Sequence, residues 1–371
     1  MATDELSPRE LLSKPPGAPE LTDRPWTVRW DLVDGSAEEL VADLLPPETE
    51  FSTSGSTGTP RSWFRTDGQL LDEARLLAGL VADTRPEAVV SFAPPRHVYG
   101  LLASVLVPAV LGVPVWYVPR FGSLPSTRHR RWAVVAIPWT FRILGRRRAW
   151  LESAERLAFV HSTAVLPRSA VDLLSGLEAK ASLVEVFGST ETGGVAYRRW
   201  ASDAEAWHLF PDVEFAGDGG GPSQEEAPLV VRSPRIARPE EGTAGPEHRM
   251  DDHVRRVGRR EFAFAGRRTR IVNVNGRRLD LDLMEERLLA AVDCDDLACV
   301  PVPDEFTGEH FDLLLVPGRT GAPDPEALRK AIEGLACRPR SVRTVERIDR
   351  SETGKLRRVQ SAQPHPEGVH R

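Results

Sequence analysis

Five apolar runs, AVVSFA, VPVWYV, AVVAIP, LAFVHS and SLVEVF, recur through the middle of the chain with helical patterns around them, and they constrain the fold more than any other feature. Strands that alternate with helices predict an α/β architecture: a large domain with mainly parallel sheets and helices on both faces. Ligands of such sheets gather in the loops at the carboxyl ends of the strands. Before the first run, Thr66 and Gln69 make a capping box, and Leu70, Leu71, Ala74, Leu77, Ala78 and Val81 follow at helical spacing. An apolar helix is expected over Leu101 to Leu111 and another from Arg168 to Leu177. The segment AGDGGGPSQEEA reads as a solvent loop between two strands.

After Gly266 the pattern changes to paired strands, a helix expected to be capped by Asp282 with Glu285, two further strands and a helix near Pro325. This predicts two domains, 1–266 and a small α+β lobe over 267–371. Residues Met1 to Glu20 are Pro-rich and expected to be poorly ordered. PWTVRWDLVDG reads as an edge strand, Ala37 to Leu45 as a short helix, and the tail from Ser361 as disordered.

A length of 371 residues with 41% hydrophobic residues is enough for two ordinary domains with a sizeable core. The net charge of −6, with both signs interspersed, argues against nucleic acid as a partner. The basic runs Arg128 to Arg131 and Arg146 to Arg148 read as a solvated face, with docking of an acidic carrier protein as the alternative. No stretch approaches the roughly 18 to 20 apolar residues of a membrane span, and the N-terminus lacks the pattern of a signal peptide. Cys294, Cys299 and Cys337 do not make metal-type spacing; reduced thiols in a cytoplasmic protein are expected.

The stretch FSTSGSTGTPR, Phe51 to Arg61, has six Ser or Thr among eleven residues. Gly55 and Gly58 let the backbone approach an anion, while Ser54, Ser56, Thr57 and nearby N–H groups can face phosphate oxygens, with Arg61 adding charge at the rim. The spacing is not GxxxxGK[ST]. Four further strings follow in order: PPRHVYG, VFGSTETGG, MDDHVRRVGRREFAFAGRRTRIVNVNGRR and SETGKLRR.

Together these five strings resemble the motifs of the adenylate-forming (AMP-dependent ligase) superfamily over Phe51 to about Arg358. The wording is most similar to the short acyl- and aryl-acid ligases of aryl-polyene-type carrier-protein pathways. Relative to that superfamily the region before the phosphate loop is short. The resemblance implies ATP and Mg²⁺ as cofactors. It places Glu191 on the metal, Thr190 near the α-phosphate, and Lys355 between the carboxylate and the α-phosphate. It also places Phe187 and Gly188 at adenine, Thr163 and Ala164 along the adenine site, Asp252 and Arg267 at the ribose, and His97 beside the acid. A carboxylate accepts from two vicinal hydroxyls and an Arg donates in a fork, so the ribose roles suit their residue types. Trp116, Tyr117, Trp132 and Trp139 could line an aromatic-acid pocket.

The sequence also departs from the superfamily's usual wording. Asp251 stands where Gly is common, Thr269 at the hinge position, Asn273 for a common Lys, and Arg61 for the usual Lys. The function implied is activation of a carboxylic acid as an acyl-adenylate, then transfer to the thiol of an acyl carrier protein or CoA. A small lobe mobile about Thr269 would serve both steps, with Gly276 near the phosphopantetheine arm. The alternatives are a non-catalytic nucleotide-binding relic and an enzyme that passes the acyl group to an amine. The sequence leaves oligomeric state open.

Overall fold

Apolar runs such as AVVS bury both faces of a strand, and such strands are stable only when helices cover them on each side. The computed structural model describes residues 3–53, 61–119, 122–162, 166–177, 180–200, 206–217, 221–223, 225–267, 270–274, 277–304, 308–318, 321–350 and 356. The chain divides into two compact units, Met1–Arg268 and Thr269–Arg371.

Unit 1 begins with β1 (Asp4–Leu6), α1 (Pro8–Leu12) and α2 (Pro19–Thr22), so the Pro-rich leader is structured where disorder was expected. Ser7 and Glu10 form a capping box on α1, and Leu11 and Leu21 are buried anchors. Next comes β2 (Trp26–Val28), which pairs with β1 on one side and so is not the edge strand the sequence implied. The next elements are α3 (Ala37–Leu44), β3 (Glu48–Thr53), β4 (Arg61–Thr66) and α4 (Asp67–Val81). β4 is an addition to the sequence reading, which led from the loop to the helix through a plain connection. The Thr66–Gln69 capping box starts α4 as expected.

The parallel part of the sheet is built by β5 (Ala88–Ser91), β6 (Val115–Tyr117), β7 (Arg131–Ala136), β8 (Arg156–His161) and β9 (Ala181–Ser189). β5 lies between β6 and β7, and β8 and β9 continue from β7, all in parallel. The apolar helix after β5 is α5 (Val98–Leu101), a π-helical turn over Leu102–Leu106, and α6 (Val107–Leu111). α7 (Pro138–Leu144) and α8 (Arg148–Ser153) connect β7 to β8, and α9 (Arg168–Ser175) connects β8 to β9.

Beyond β9 the sheet turns antiparallel, a change the sequence did not announce. It runs through β10 (Gly193–Arg199), β11 (Ala206–Leu209), β12 (Glu214–Phe215), β13 (Glu226–Arg232), β15 (Glu247–Gly258) and β16 (Glu261–Arg267). The order is β1-β2-β6-β5-β7-β8-β9-β10-β11-β16-β15-β13-β12. A second small sheet joins β3 and β4 to β14 (Arg238–Pro239).

Unit 2 holds β17 (Ile271–Val274), β18 (Arg277–Asp280), α10 (Leu281–Ala291), β19 (Cys294–Asp304), β20 (Gly308–Pro317), α11 (Pro325–Glu333) and β21 (Val342–Thr344). Its own core is built on Val272, Leu281, Leu288, Leu297, Phe311 and Leu313. The N-cap of α10 is Asp280, not Asp282. Asp282 and Glu285 instead face Arg270, whose guanidinium bonds both carboxylates and the Cys299 carbonyl. A partly buried cation at the start of the lobe thus outcompetes the local capping box. No helix among the described residues is long and apolar enough to cross a membrane.

Candidate active site

The string VFGSTETGG forms the hairpin from β9 to β10, and two of its three glycines, Gly188 and Gly193, explain its shape. A Cβ on Gly188 would lie 2.1 Å from the Gly193 carbonyl oxygen, and Gly193 sits at φ +68°. Backbone packed this closely admits no side chain. Across the turn Thr192 Oγ1 donates to the Gly193 carbonyl at 2.9 Å and pairs with Ser189 Oγ at 3.1 Å. Thr190 and Glu191 are left half-buried at the tip. Gly188→Ala is expected to cost about 1–3 kcal/mol of stability through overpacking, measured by chemical denaturation.

Beneath this turn lies a buried charge cluster that the sequence reading did not select. Glu73, on α4 and 3% exposed, accepts from the Gly194 N–H at 2.7 Å. Its other oxygen is 2.8 Å from Arg65 Nη2 and 3.2 Å from Arg235 Nη1. Arg235 is held in turn by Asp212 through bonds of 2.6 and 2.9 Å, and Arg65 donates to the Arg235 carbonyl at 3.0 Å. Burial alone would raise the Glu73 pKa, but the two guanidinium groups and the Gly194 amide outweigh it and hold the carboxyl below its ordinary range. One signal could have found it: Glu73 interrupts the buried stripe of α4, three residues after Leu70 and four before Leu77.

The phosphate-loop residues Ser54, Gly55, Ser56, Thr57 and Gly58 lie outside the described residues, but the strands on either side do not. Thr53 pairs with Arg61, closing the ladder at the mouth of the loop, and Arg61 is exposed. β4 pairs with β14, and the Ala237 N–H just before β14 donates to the Glu191 carbonyl at 2.7 Å. Trp63 of β4 meets the His248 ring edge-on at 5.9 Å. Burial lowers the His248 pKa, against the opposing pull of the Glu191 and Asp251 carboxylates.

On β15, Asp252 is buried and sits opposite Arg267 of β16 in the ladder. The two residues expected at one sugar are thus cross-strand neighbours, although the Arg267 side chain is not among those described. Phe187 packs in an aromatic cluster with Trp207 at 5.4 Å and Phe262 at 5.6 Å.

His97 is half-buried at the N-cap of α5. The turn before it is tight, since a Cβ on Gly100 would stand 1.8 Å from the Pro94 carbonyl oxygen. Thr163 and Ala164 lie outside the described residues. Next to them Ser162 Oγ donates to the Val186 carbonyl at 3.0 Å, tying β8 to β9. His161 is fully buried and neutral, its pKa lowered to about 3 by burial and, secondarily, by Arg198. Among the aromatic-pocket candidates, Tyr117 and Trp132 are core. Tyr117 stacks on Trp26 at 5.3 Å and donates to the Thr22 carbonyl, and Trp132 packs on Trp116 and Trp150. Trp139 lies edge-on to Phe92 at 5.6 Å.

Lys355, Thr269 and Gly276 also lie outside the described residues, and Asn273 is exposed on β17. Among the described residues no three His, Cys, Asp or Glu side chains gather as a metal cage. Mg²⁺ is commonly held by one or two carboxylates together with substrate phosphates. A single half-buried Glu191, whose carbonyl is tied to the strand beside β4, fits that donor set.

Residues 51–218 match the family model described as AMP-binding enzyme. The chain is 28% identical to a 4-coumarate--CoA ligase of Halorhodospira halophila, over 87% of this chain and 78% of the relative. The fold resembles ATP-bound MatB from Rhodopseudomonas palustris, with a TM-score of 0.66 at 18% identity over 83% of this chain and 66% of that one. It also resembles the anthranilate CoA ligase AuaEII in complex with anthranoyl-AMP, with a TM-score of 0.65 at 15% identity over 83% and 65%. The chain thus spans about two thirds of the length of these solved structures.

Proposed function

We propose that this chain, which belongs to the adenylate-forming superfamily, activates a carboxylic acid with ATP and passes the acyl group to a thiol. In the first step a carboxylate oxygen attacks the α-phosphorus and pyrophosphate leaves. In the second a thiol sulfur attacks the acyl carbon and AMP leaves. The acid is an aryl or acyl acid, and the acceptor is a phosphopantetheine thiol of an acyl carrier protein or CoA.

One observation carries the reading. The buried Glu73 carboxylate grips both the Gly194 amide, at the end of the Thr190–Glu191 turn, and Arg65, on the strand that leaves the Ser54–Gly58 loop. The two parts assigned to the phosphates thus share one rigid support, as a site that must position a triphosphate requires.

The chemistry begins with repulsion, since two unit charges at 4 Å repel by about 4 kcal/mol at an effective dielectric of 20. Bound Mg²⁺ would supply charge neutralisation at the phosphates, with Glu191 as its protein ligand. Arg61 adds a fixed cation at the loop rim, Thr190 donates to the α-phosphate, and Asp252 with Arg267 fixes the ribose. Phe187 and Gly188 flank the adenine along with Thr163 and Ala164, and His97 borders the acid. Lys355, on the lobe of residues 267–371, bridges carboxylate and α-phosphate in the first step and withdraws about Thr269 before the second.

The test is acid-dependent ATP–pyrophosphate exchange over a panel of aryl, polyenoic and fatty acids, followed by product analysis with CoA, a carrier protein and an amine as acceptors. Exchange with at least one acid and a thioester product is expected. ATP binding with no exchange for any acid would leave the relic, and an amide as the sole product would move the enzyme to amine acylation. Asp252→Asn is expected to raise KM for ATP about tenfold or more with a smaller change in kcat, because it removes a charge-assisted bond to the ribose worth roughly 1.5–3 kcal/mol.

A further inference from the structure

Between β13 and β14 the chain runs through residues 233–237, which belong to neither strand although Ser233, Arg235, Ile236 and Ala237 are buried. Buried backbone carbonyls need donors, and here side chains supply them. Gln69 Nε2 donates to the Pro234 carbonyl at 3.0 Å and to the Ile236 carbonyl at 3.1 Å. Arg65 Nη2 donates to the Arg235 carbonyl between them. Three successive carbonyls are thus pinned from β4 and α4, and the residue that follows, Ala237, gives its N–H to the Glu191 carbonyl at 2.7 Å.

Gln69 does two things at once. Within α4 it completes the capping box: its Oε1 accepts from the Thr66 N–H at 3.1 Å, and its own N–H donates to Thr66 Oγ1 at 3.2 Å. That task uses only the side-chain oxygen, so Glu would serve it as well. The amide nitrogen is the part a Glu lacks, and both of its donors are engaged by the 233–237 segment. The Ile236 carbonyl and the Ala237 N–H are two ends of one planar peptide. Fixing the first aims the second at Glu191.

We propose that Gln69 is a positioning residue for Glu191: by pinning the 233–237 segment it fixes the backbone from which the Glu191 carboxylate meets Mg²⁺, and so sets how strongly the metal tightens nucleotide binding. The inference rests on the assignment of Glu191 to the metal under the proposed function. Partners that orient a metal ligand commonly change metal affinity about 10–100-fold when lost.

The experiment is calorimetric titration of the full chain with ATP, once in EDTA and once in saturating Mg²⁺, read as the ratio of the two Kd values. Mg²⁺ is expected to tighten ATP binding by the unaltered chain, and Glu191→Ala to lose that gain. Gln69→Glu, which keeps the cap and removes the donor, should cut the gain about tenfold and leave Kd in EDTA within about twofold. An added carboxylate by itself attracts Mg²⁺, so charge alone predicts the opposite sign. Gln69→Met, uncharged and of similar length, should cut the gain likewise and serves if Gln69→Glu does not fold. Thr66→Ala removes the capping hydroxyl and leaves the pinned carbonyls; it should lower the denaturation midpoint without moving the ratio. In a Glu191→Ala background Gln69→Glu should change the ratio no further. The proposal alone is overturned if Glu191→Ala loses the gain while both Gln69 variants keep it, or if Thr66→Ala moves the ratio as far as they do. If Glu191→Ala keeps the gain, or the unaltered chain shows none, the metal assignment fails and the proposal fails with it.

Discussion

Lys355→Ala is expected to reduce acid-dependent ATP–pyrophosphate exchange by about 10²–10³-fold or more, the scale of removing one preorganised group from a developing charge. Carboxylate and α-phosphate repel, and a compact ammonium between them lowers the energy of their approach more than that of either partner alone. The chain has only four lysines among 48 basic residues. A Lys retained in the string SETGKLRR of such an Arg-rich protein is therefore not simple composition. The same variant should still convert a supplied acyl-adenylate and thiol to thioester within a fewfold of the unaltered rate, because the ammonium has left the acyl carbon by then. Unchanged exchange in Lys355→Ala would remove the assigned role.

The second large effect is on stability. Glu73→Gln should destabilise unit 1 by about 3–5 kcal/mol, the cost of removing one partner from a buried ion pair. It leaves Arg65, fully buried, without its only anionic partner among the described residues, and Arg235 with Asp212 alone. Denaturant midpoints at neutral pH measure the loss. The pH dependence has a definite sign, since the folded-state pKa of Glu73 is depressed. Its contribution is therefore fully present above the unfolded carboxyl value of about 4.3 and is lost as pH falls through the lower folded value. The gap between the unaltered chain and Glu73→Gln should accordingly be constant from neutral pH to about 5 and narrow in stronger acid. A gap that widened in acid would contradict the charge assignment.

Some of the site could be read without coordinates. FGSTETGG promised a turn after a strand, and Gly188 and Gly193 are required there because each glycine's missing Cβ would occupy a neighbour's atoms. The resemblance put Asp252 and Arg267 at one sugar, and the ladder of β15 and β16 makes them cross-strand neighbours. Other features were misread for an equally physical reason. The leader looked disordered because prolines dominate it, yet Leu11 and Leu21 find a core to bury in, and tertiary burial overrode the local signal. Asp282 and Glu285 looked like a cap, yet Arg270 recruits both.

The sequence by itself determined the five strands of the parallel sheet, the capped helix α4 and the order of the motifs, because periodic burial and turn chemistry are properties of neighbouring residues. Only the tertiary structure decided that β10 doubles back beside β9. It alone brought Glu73, Arg65 and Arg235 together across as many as 170 residues of chain beneath the Thr190–Glu191 turn. Charges so far apart along the backbone carry no local pattern, and their pairing exists only once the sheet has closed water out from around them.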